Sequence, residues 1–506
     1  MPTNPVRSVI DVLSRDSRIR GSGSEAISFL MDLLYFGDFS ILEQVSSGDL
    51  FERVNLVGHK GPQPAPGLPG LILAANTATS VEPVPAQWSS LDGDPLGSRL
   101  SRDGRLIHGL GANGGKVDMV LKIIAGSRFR PEELIRPLHL VAFSGEEAHG
   151  SGARSVVEDL VAGPRGAATQ GHQGHRGVAF VHAPTQLALW TDHPGCISLK
   201  LTLSRRIRHR RMPPHAGFFE VRVAGRSSHV LAQRPETSQD HAGLAGDDAL
   251  ARTLEVLNTL RRHGDVRVLS IEAGEAANRV PGRARLRVAT SYAELPSLLQ
   301  HGPGVEVEPI ADGTALPFPI DAMFSGWLAA RDAGLLAIEA RLGTARNAAA
   351  ARPPRNHWTG RLVSDRDEIS GYIMLWTGPG VDTPDLCERF AQAVQRALVG
   401  QEEIEVAIEV VQDRLAFAGA DGSDEAVDLA RLALQRASVP FSLGAGTFTT
   451  DAGLFRAHGY QTLVFGPGGP IEALYRDDEA VAVKNIETAV RFYEELIRAY
   501  CVEGRG

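Results

Sequence analysis

The chain has 506 residues, 43% of them hydrophobic and 22% charged, with a formal charge of −8. That length and balance leave room for two or more packed cores and exclude the fibrous and disordered classes. The acidic balance gives no electrostatic footprint for nucleic acid, one local run excepted, Arg205 to Arg211 (RRIRHRR).

No stretch runs to eighteen apolar residues, so no membrane span is expected, and the opening MPTNPVRSVIDVLSRDSRIRG lacks the apolar core of a signal peptide. The cytoplasm is the expected compartment. Cys196, Cys387 and Cys501 are far apart without C-x-x-C spacing, so neither a disulfide framework nor a thiolate zinc site is expected and they read as packing residues.

In chain order, Ser24 to Leu34 has apolar residues at helical spacing. After the turn-rich GPQPAPGLPG, Leu71 to Ala75 reads as a short buried strand, and NTATS follows at its end, where ligands are presented. DGRL leads into GLGANGGKVDMVLKIIAG, a glycine-rich turn opening a helix. It lacks the Lys-Ser/Thr ending of a phosphate-binding loop, so no nucleotide site is expected. Leu138 to Phe143 reads as a buried strand of a parallel sheet, and in such sheets ligands gather where strands end. Two carboxylates follow, Glu146 and Glu147. Side by side, one can hold a cation while its neighbour takes a proton from bound water; a solvated acidic turn is the other reading.

Further on, Cys196 to Leu203 and FFEVRVAG are alternating segments joined by SRRIRHRRMPPHAG, which predicts a hairpin with Arg205, Arg206, Arg208, Arg210 and Arg211 at its tip. That cluster is either a solvated loop or a surface for an acidic partner. Ser325 to Leu342 has helical periodicity, ARNAAAARPPRNHW reads as a linker, and ISGYIMLW and TPDLCERFAQAVQRALVG as a strand and a helix. EEIEVAIEVV then predicts a strand opening the return to the larger domain. SDEAVDLARLALQRA predicts a helix capped by Ser423 or Asp424, and TLVFG another buried strand. Asn485 to Tyr500 predicts a helix with Ile486, Val490, Tyr493, Leu496 and Ile497 in one stripe. Gly466 to Gly469 (GPGG) is either an anion-binding turn or a tight turn without a ligand.

Taken together, LILAANTATSVEPV, Trp88, Asp94-Pro95, GRLIHGLGANGGK, AFSGEEAHGSGA, VHAPTQLALWTDHPGC, FEVRVAGRSSH, IEAGEAANRVP and TFTTDAGLFRAHGYQTLVFGPGG resemble, in order and spacing, the M20 family of metallopeptidases and amidohydrolases. The resemblance covers most of the chain except about 300–370. It implies an α/β fold: a larger zinc-exopeptidase-like α/β domain, 1–197 with 411–506, into which a smaller α+β lid domain of the dimerisation type, 198–410, is inserted. It also implies two zinc ions, with Glu146 as general base, His229 reaching a partner's active site in dimeric members, and Asn278, Gly466 and Gly468 lining the substrate cleft.

The departures from the pattern carry the functional expectation. The five ligand positions implied by the resemblance fall on Asn76, Gly114, Glu147, Ala183 and Tyr475, or Leu474 with a one-residue slip; the residue that orients the first ligand falls on Ala78. Only Glu147 keeps a ligand side chain of the family's type. A catalytic zinc needs about three His, Asp or Glu ligands, and one carboxylate cannot hold two cations. No metal cofactor is therefore expected unless other donors move in, the nearby candidates being His108, His149, His172, His175, His182 and His193. Three readings remain. The first is an M20-like protein without hydrolysis that acts as a binding, scaffold or regulatory subunit, as a homodimer or with a protein partner through the lid. The second is an active amide- or peptide-bond hydrolase with replaced ligands. The third is a metal-free enzyme using Glu146, whose pKa its neighbour would perturb, on a small molecule in the inherited cleft.

Overall fold

The computed structural model describes all residues except 1–3, 19–23, 48–51, 64–67, 80–87, 145–150, 163–175, 206–216, 226–227, 230–247, 275–278, 291–303, 311–318, 343–356, 366, 420–423, 447, 470–477 and 506. Two compact units result: the first is Met1–His193 with Arg414–Gly506, and the second, Pro194–Asp413, is inserted into it. Among the described residues no helix is long and apolar enough to cross a membrane.

The first unit is built on an eight-stranded sheet in the order Ser40–Ser47, Glu52–Lys60, Leu138–Phe143, Gly70–Asn76, Gly177–Val181, Gln461–Val464, Leu189–Asp192, Leu443–Ala445. Its centre is parallel: Gly70–Asn76 runs alongside both Leu138–Phe143 and Gly177–Val181, and Gln461–Val464 alongside the latter. These strands are buried except at Asn76 and Gln461, each at a strand end. The continuous apolar runs in the sequence follow from that, because a parallel sheet is covered on both faces. Alternate residues of Glu52–Lys60 show the two covers. Lys60 reaches the carbonyls of Gly126 and Phe129 beside the helix Gly115–Gly126, whereas Asn55 reaches the carbonyl of Gly152 in the helix Ser151–Ala162.

The C-terminal helix Val483–Ile497 packs on Gly115–Gly126, and its predicted stripe, Ile486, Val490, Tyr493, Leu496 and Ile497, is buried in the main core. The helix Glu425–Arg436 begins after Asp424 as expected. Its cap is not made by that side chain, which instead pairs with Arg456 at 3.0 Å.

The second unit has its own eight-stranded sheet, ordered Val305–Pro309, Gly217–Ala224, Arg283–Thr290, Val266–Ala273, His357–Ser364, Glu368–Thr377, Gly195–Arg205, Ile404–Arg414. The helices Ala249–His263, Asp321–Ile338 and Thr383–Ala397 give it a core of its own. Trp327 lies in that core and donates its indole N–H to the Leu201 carbonyl at 2.9 Å.

Two expectations are corrected here. Gly195–Arg205 and Gly217–Ala224 are not a hairpin: the first pairs over ten residues with Glu368–Thr377 and the second with Arg283–Thr290, so four strands stand between them. Alternation shows that a segment has one buried face, and says nothing of which neighbour it takes. The strand predicted from EEIEVAIEVV forms as Ile404–Arg414, but it belongs to the sheet of the inserted unit, where it is the edge strand beside Gly195–Arg205.

Candidate functional site

The carboxyl ends of the parallel strands place Asn76, Ser144, His182 and Phe465 along one rim of the first unit. Adjacent strands are tied to the last turn of each other there: Thr77 donates to the Phe143 carbonyl at 2.9 Å, His182 to Ala74 at 2.9 Å and Phe465 to Val181 at 3.0 Å. The helix Gly115–Gly126 starts against this rim. A Cβ on Gly115 would overlap the Asn76 carbonyl, so only glycine lets the helix begin this close to the strand.

The loop before that helix is held from inside. Both oxygens of the buried Glu479 accept backbone N–H groups, from Gly111 at 3.0 Å and Asn113 at 2.6 Å. Burial pushes the Glu479 carboxyl up to about 7 and the Lys116 ammonium down to about 8, although their mutual attraction and the two N–H donors pull the other way.

Asn113 also binds the opposite wall: its Oδ1 accepts from Gly469 at 2.6 Å and its carbonyl faces His182 Nε2 at 3.3 Å. Gly466 N–H donates to Thr185 Oγ1 at 3.1 Å, the Gly466 carbonyl accepts from Leu187 and the Gly468 carbonyl from Gln186, both at 3.0 Å. The GPGG turn is thus bonded into Ala183-Pro184-Thr185 and the Asn113 loop. A Cβ on Gly468 would lie 2.7 Å from Pro184 Cβ, which accounts for glycine at that position.

Beneath the rim is a buried polar knot that the sequence reading passed over. Asp118 and Lys122, one helical turn apart, make a close ion contact at 2.6 Å with neither side chain exposed. Tyr493 donates to Asp118 Oδ1 at 2.7 Å, His182 Nδ1 stands 3.2 Å from Oδ2, and Lys122 Nζ donates to the Ala74 carbonyl at 2.8 Å. Burial alone would raise the Asp118 carboxyl, but Lys122 and His182 hold it below the ordinary carboxylate value; burial and Asp118 together raise the Tyr493 phenol. The signal was an opposite-charge pair four apart in an otherwise apolar helix, GKVDMVLKIIAG.

Of the residues singled out from the sequence, Glu146, Glu147, Asn278 and Tyr475 lie outside the described residues, as do Leu474, His149, His172 and His175. The ends of the segment that carries the two glutamates are fixed. Asn55 Oδ1 accepts from Ser144 N–H at 3.1 Å, and its amide donates to the Gly152 carbonyl at 3.2 Å. His229 is in the two-residue strand Ser228–His229, in the second unit, paired with Arg279–Val280.

Asn76, Gly114 and Ala183 are brought to the same rim, and none offers an anionic or imidazole donor. Asn76 Oδ1 accepts from Ala78 N–H at 3.1 Å, Gly114 caps the helix without a side chain, and Ala183 is buried. Nor does the described histidine nearest them substitute. His182 Nε2 faces the Asn113 carbonyl at 3.3 Å, and its Nδ1 stands 3.2 Å from Asp118 Oδ2 without hydrogen-bond geometry, beside a carboxylate that Lys122 already neutralises. His193 is buried elsewhere in the unit, with Nε2 2.9 Å from Thr450 Oγ1 and its ring against Phe417, and His108 sits in the strand Leu106–His108 paired to Ala480. Among the described residues no group of three or more His, Cys, Asp or Glu converges. The donors that the described residues bring to the rim do not by themselves fit a pair of divalent cations.

Comparison with known proteins places this geometry. A probable carboxypeptidase of Emericella nidulans is 23% identical over 402 residues, 77% of this chain and 80% of its own. Among solved structures, the di-peptidase Dug1p of Saccharomyces cerevisiae superposes with a TM-score of 0.55 at 10% identity, covering 98% of this chain and 95% of that one. Human carnosine dipeptidase 1 gives 0.54 at 10% identity over 98% and 97%. Peptidase family M20/M25/M40 matches residues 81–499, and it is to this family that the chain belongs.

Proposed function

We propose that this chain is an M20-fold protein that does not hydrolyse through a dinuclear metal centre and works as a binding, scaffold or regulatory subunit in the cytoplasm. The observation that carries the reading is the chemistry at three positions on one rim: an amide already bonded at Asn76, no side chain at Gly114, a methyl at Ala183. Of the five ligand positions that the resemblance implies, only Glu147 is a residue of the ligand type, and a lone carboxylate does not outcompete water for a doubly charged ion. The proposed ligand is a small peptide or N-acyl amino acid in the inherited cleft, with a second copy or a protein partner held through the inserted unit.

The competing reading is a carboxypeptidase with replaced ligands, favoured by the naming of the Emericella relative. Turnover of dipeptides and N-acyl amino acids by the purified chain, with and without added zinc, separates the two. No zinc-dependent turnover is expected. Stoichiometric zinc with turnover abolished by Glu146→Gln would overturn the proposal.

A further inference from the structure

Gly195–Arg205 and Gly217–Ala224, which sequence order pairs as a hairpin, each open one half of the inserted unit. The first half runs through Gly217–Ala224, the helix Ala249–His263, Val266–Ala273, Arg283–Thr290 and Val305–Pro309, and its four strands lie side by side in the order fourth, first, third, second. The other half runs through Gly195–Arg205, the helix Asp321–Ile338, His357–Ser364, Glu368–Thr377, the helix Thr383–Ala397 and Ile404–Arg414. Counted from the opposite edge of the sheet, its strands again lie fourth, first, third, second. The pairings agree as well, since in both halves the third strand is antiparallel to the first and to the second. One half is therefore nested in the other, between its first strand and its first helix.

The halves meet through their second strands. Val266–Ala273 and His357–Ser364 run antiparallel, with Glu272 opposite Val363 and Ala273 opposite Leu362, the arrangement that two like strands take about a two-fold axis normal to their sheet. Ser364 extends the ladder: its hydroxyl accepts from the Ile271 N–H at 2.8 Å and donates to the Ile271 carbonyl at 3.2 Å. Both halves share one core, in which Leu257, Leu286, Trp327 and Phe390 pack. A lone half would present its second strand as an open edge, and an open edge invites pairing with another chain. Here the chain covers that edge with its own other half. The edges left over belong to the two fourth strands, where Glu306 and Glu308 are exposed on Val305–Pro309 and Glu405 and Glu409 on Ile404–Arg414. Like charges brought opposite one another across a ladder destabilise it, so these acidic edges repel their own kind.

We infer that the inserted unit is a two-fold assembly completed within one chain, and that the protein accordingly works as a single copy. Of the two occupants proposed for this unit, that leaves the protein partner.

Sedimentation equilibrium of the full chain from about 1 to 100 µM, a range that reveals micromolar self-association, is expected to return the mass of one chain, 54.2 kDa, throughout. A second arm frees the covered edge. Arg205 Nη2 donates to the Pro319 carbonyl at 3.2 Å, so the ends of the nested half meet, and 206–318 is replaced by a short Gly/Ser linker in the otherwise full chain. That variant is expected to sediment at twice its own mass, two copies pairing through His357–Ser364 as the halves do now. A full chain at twice 54.2 kDa would overturn the inference. So would a linker variant that keeps its far-ultraviolet circular dichroism yet stays at its single mass; where that variant does not fold, the mass of the full chain decides. Neither arm involves ligand, metal or turnover, so failure here leaves the proposed loss at the rim standing, and turnover found there leaves the mass unchanged.

Discussion

Glu479 is the residue on which the candidate rim most directly depends, because its two carboxylate oxygens hold the backbone of Gly111 and Asn113. Its carboxyl sits at about 7 in the fold against an ordinary 4.5, so between those pH values the native state binds more protons than the unfolded chain. Stability contributed by Glu479 is therefore complete below pH 4.5 and is lost as pH rises through 7, by roughly 3 kcal/mol. Lys116, held at about 8 against 10.5, works in the other sense: its contribution is present above 10.5 and lost as pH falls through 8. Urea denaturation from pH 4.5 to 7 is expected to show the wild-type chain losing stability relative to Glu479→Gln; parallel curves would refute it. Little of this was legible in the sequence, since Glu479 reads as one more acid in RDDEAV, and its partners lie 366 and 368 residues away. That Asn76, Gly114 and Ala183 carry neither an acid nor an imidazole was legible, because residue type can be read without knowing the fold.

At the scale of elements, the helix Gly115–Gly126 is seated between the strand end at Asn76 and the C-terminal helix. Replacing glycine by alanine inside a helix ordinarily gains about 1 kcal/mol. Here the added methyl overlaps the Asn76 carbonyl, so Gly115→Ala is expected to lower stability by about 2 kcal/mol or more, read from thermal or urea unfolding. A gain instead would show that the helix start is free to back away. The elements themselves were largely visible: Gly70–Asn76, Leu138–Phe143, Asp321–Ile338 and Val483–Ile497 lie where apolar period and run length put them. Partnership was not. Gly195–Arg205 and Gly217–Ala224 read as neighbours because they follow one another, yet each found its ladder with a strand far along the chain. The edge strand Ile404–Arg414 was read as opening the return to the larger domain, although the boundary drawn at 410 left most of it in the inserted one.

At the scale of the molecule, each unit owns its core. Ile197, Leu201, Val221, Leu286, Trp327, Ile373 and Phe390 pack in the inserted unit, and the main core draws on residues before and after it. Residues 194–413 expressed alone are expected to unfold in one cooperative transition, with near-ultraviolet circular dichroism showing ordered tryptophans; a gradual melt without that signal would refute the independence.

The first unit is interrupted, and this has a consequence for its synthesis. Gln461–Val464 slots between Gly177–Val181 and Leu189–Asp192, and Val483–Ile497 closes over Gly115–Gly126. A nascent chain leaving the ribosome therefore carries a half-built sheet, open along Gly177–Val181, while the inserted unit is completed ahead of it. Only Gln461–Val464 and Val483–Ile497, made after the inserted unit, close that seam, so a chain cut short before them holds one finished globule and one that exposes its sticky edge to chaperones and proteases.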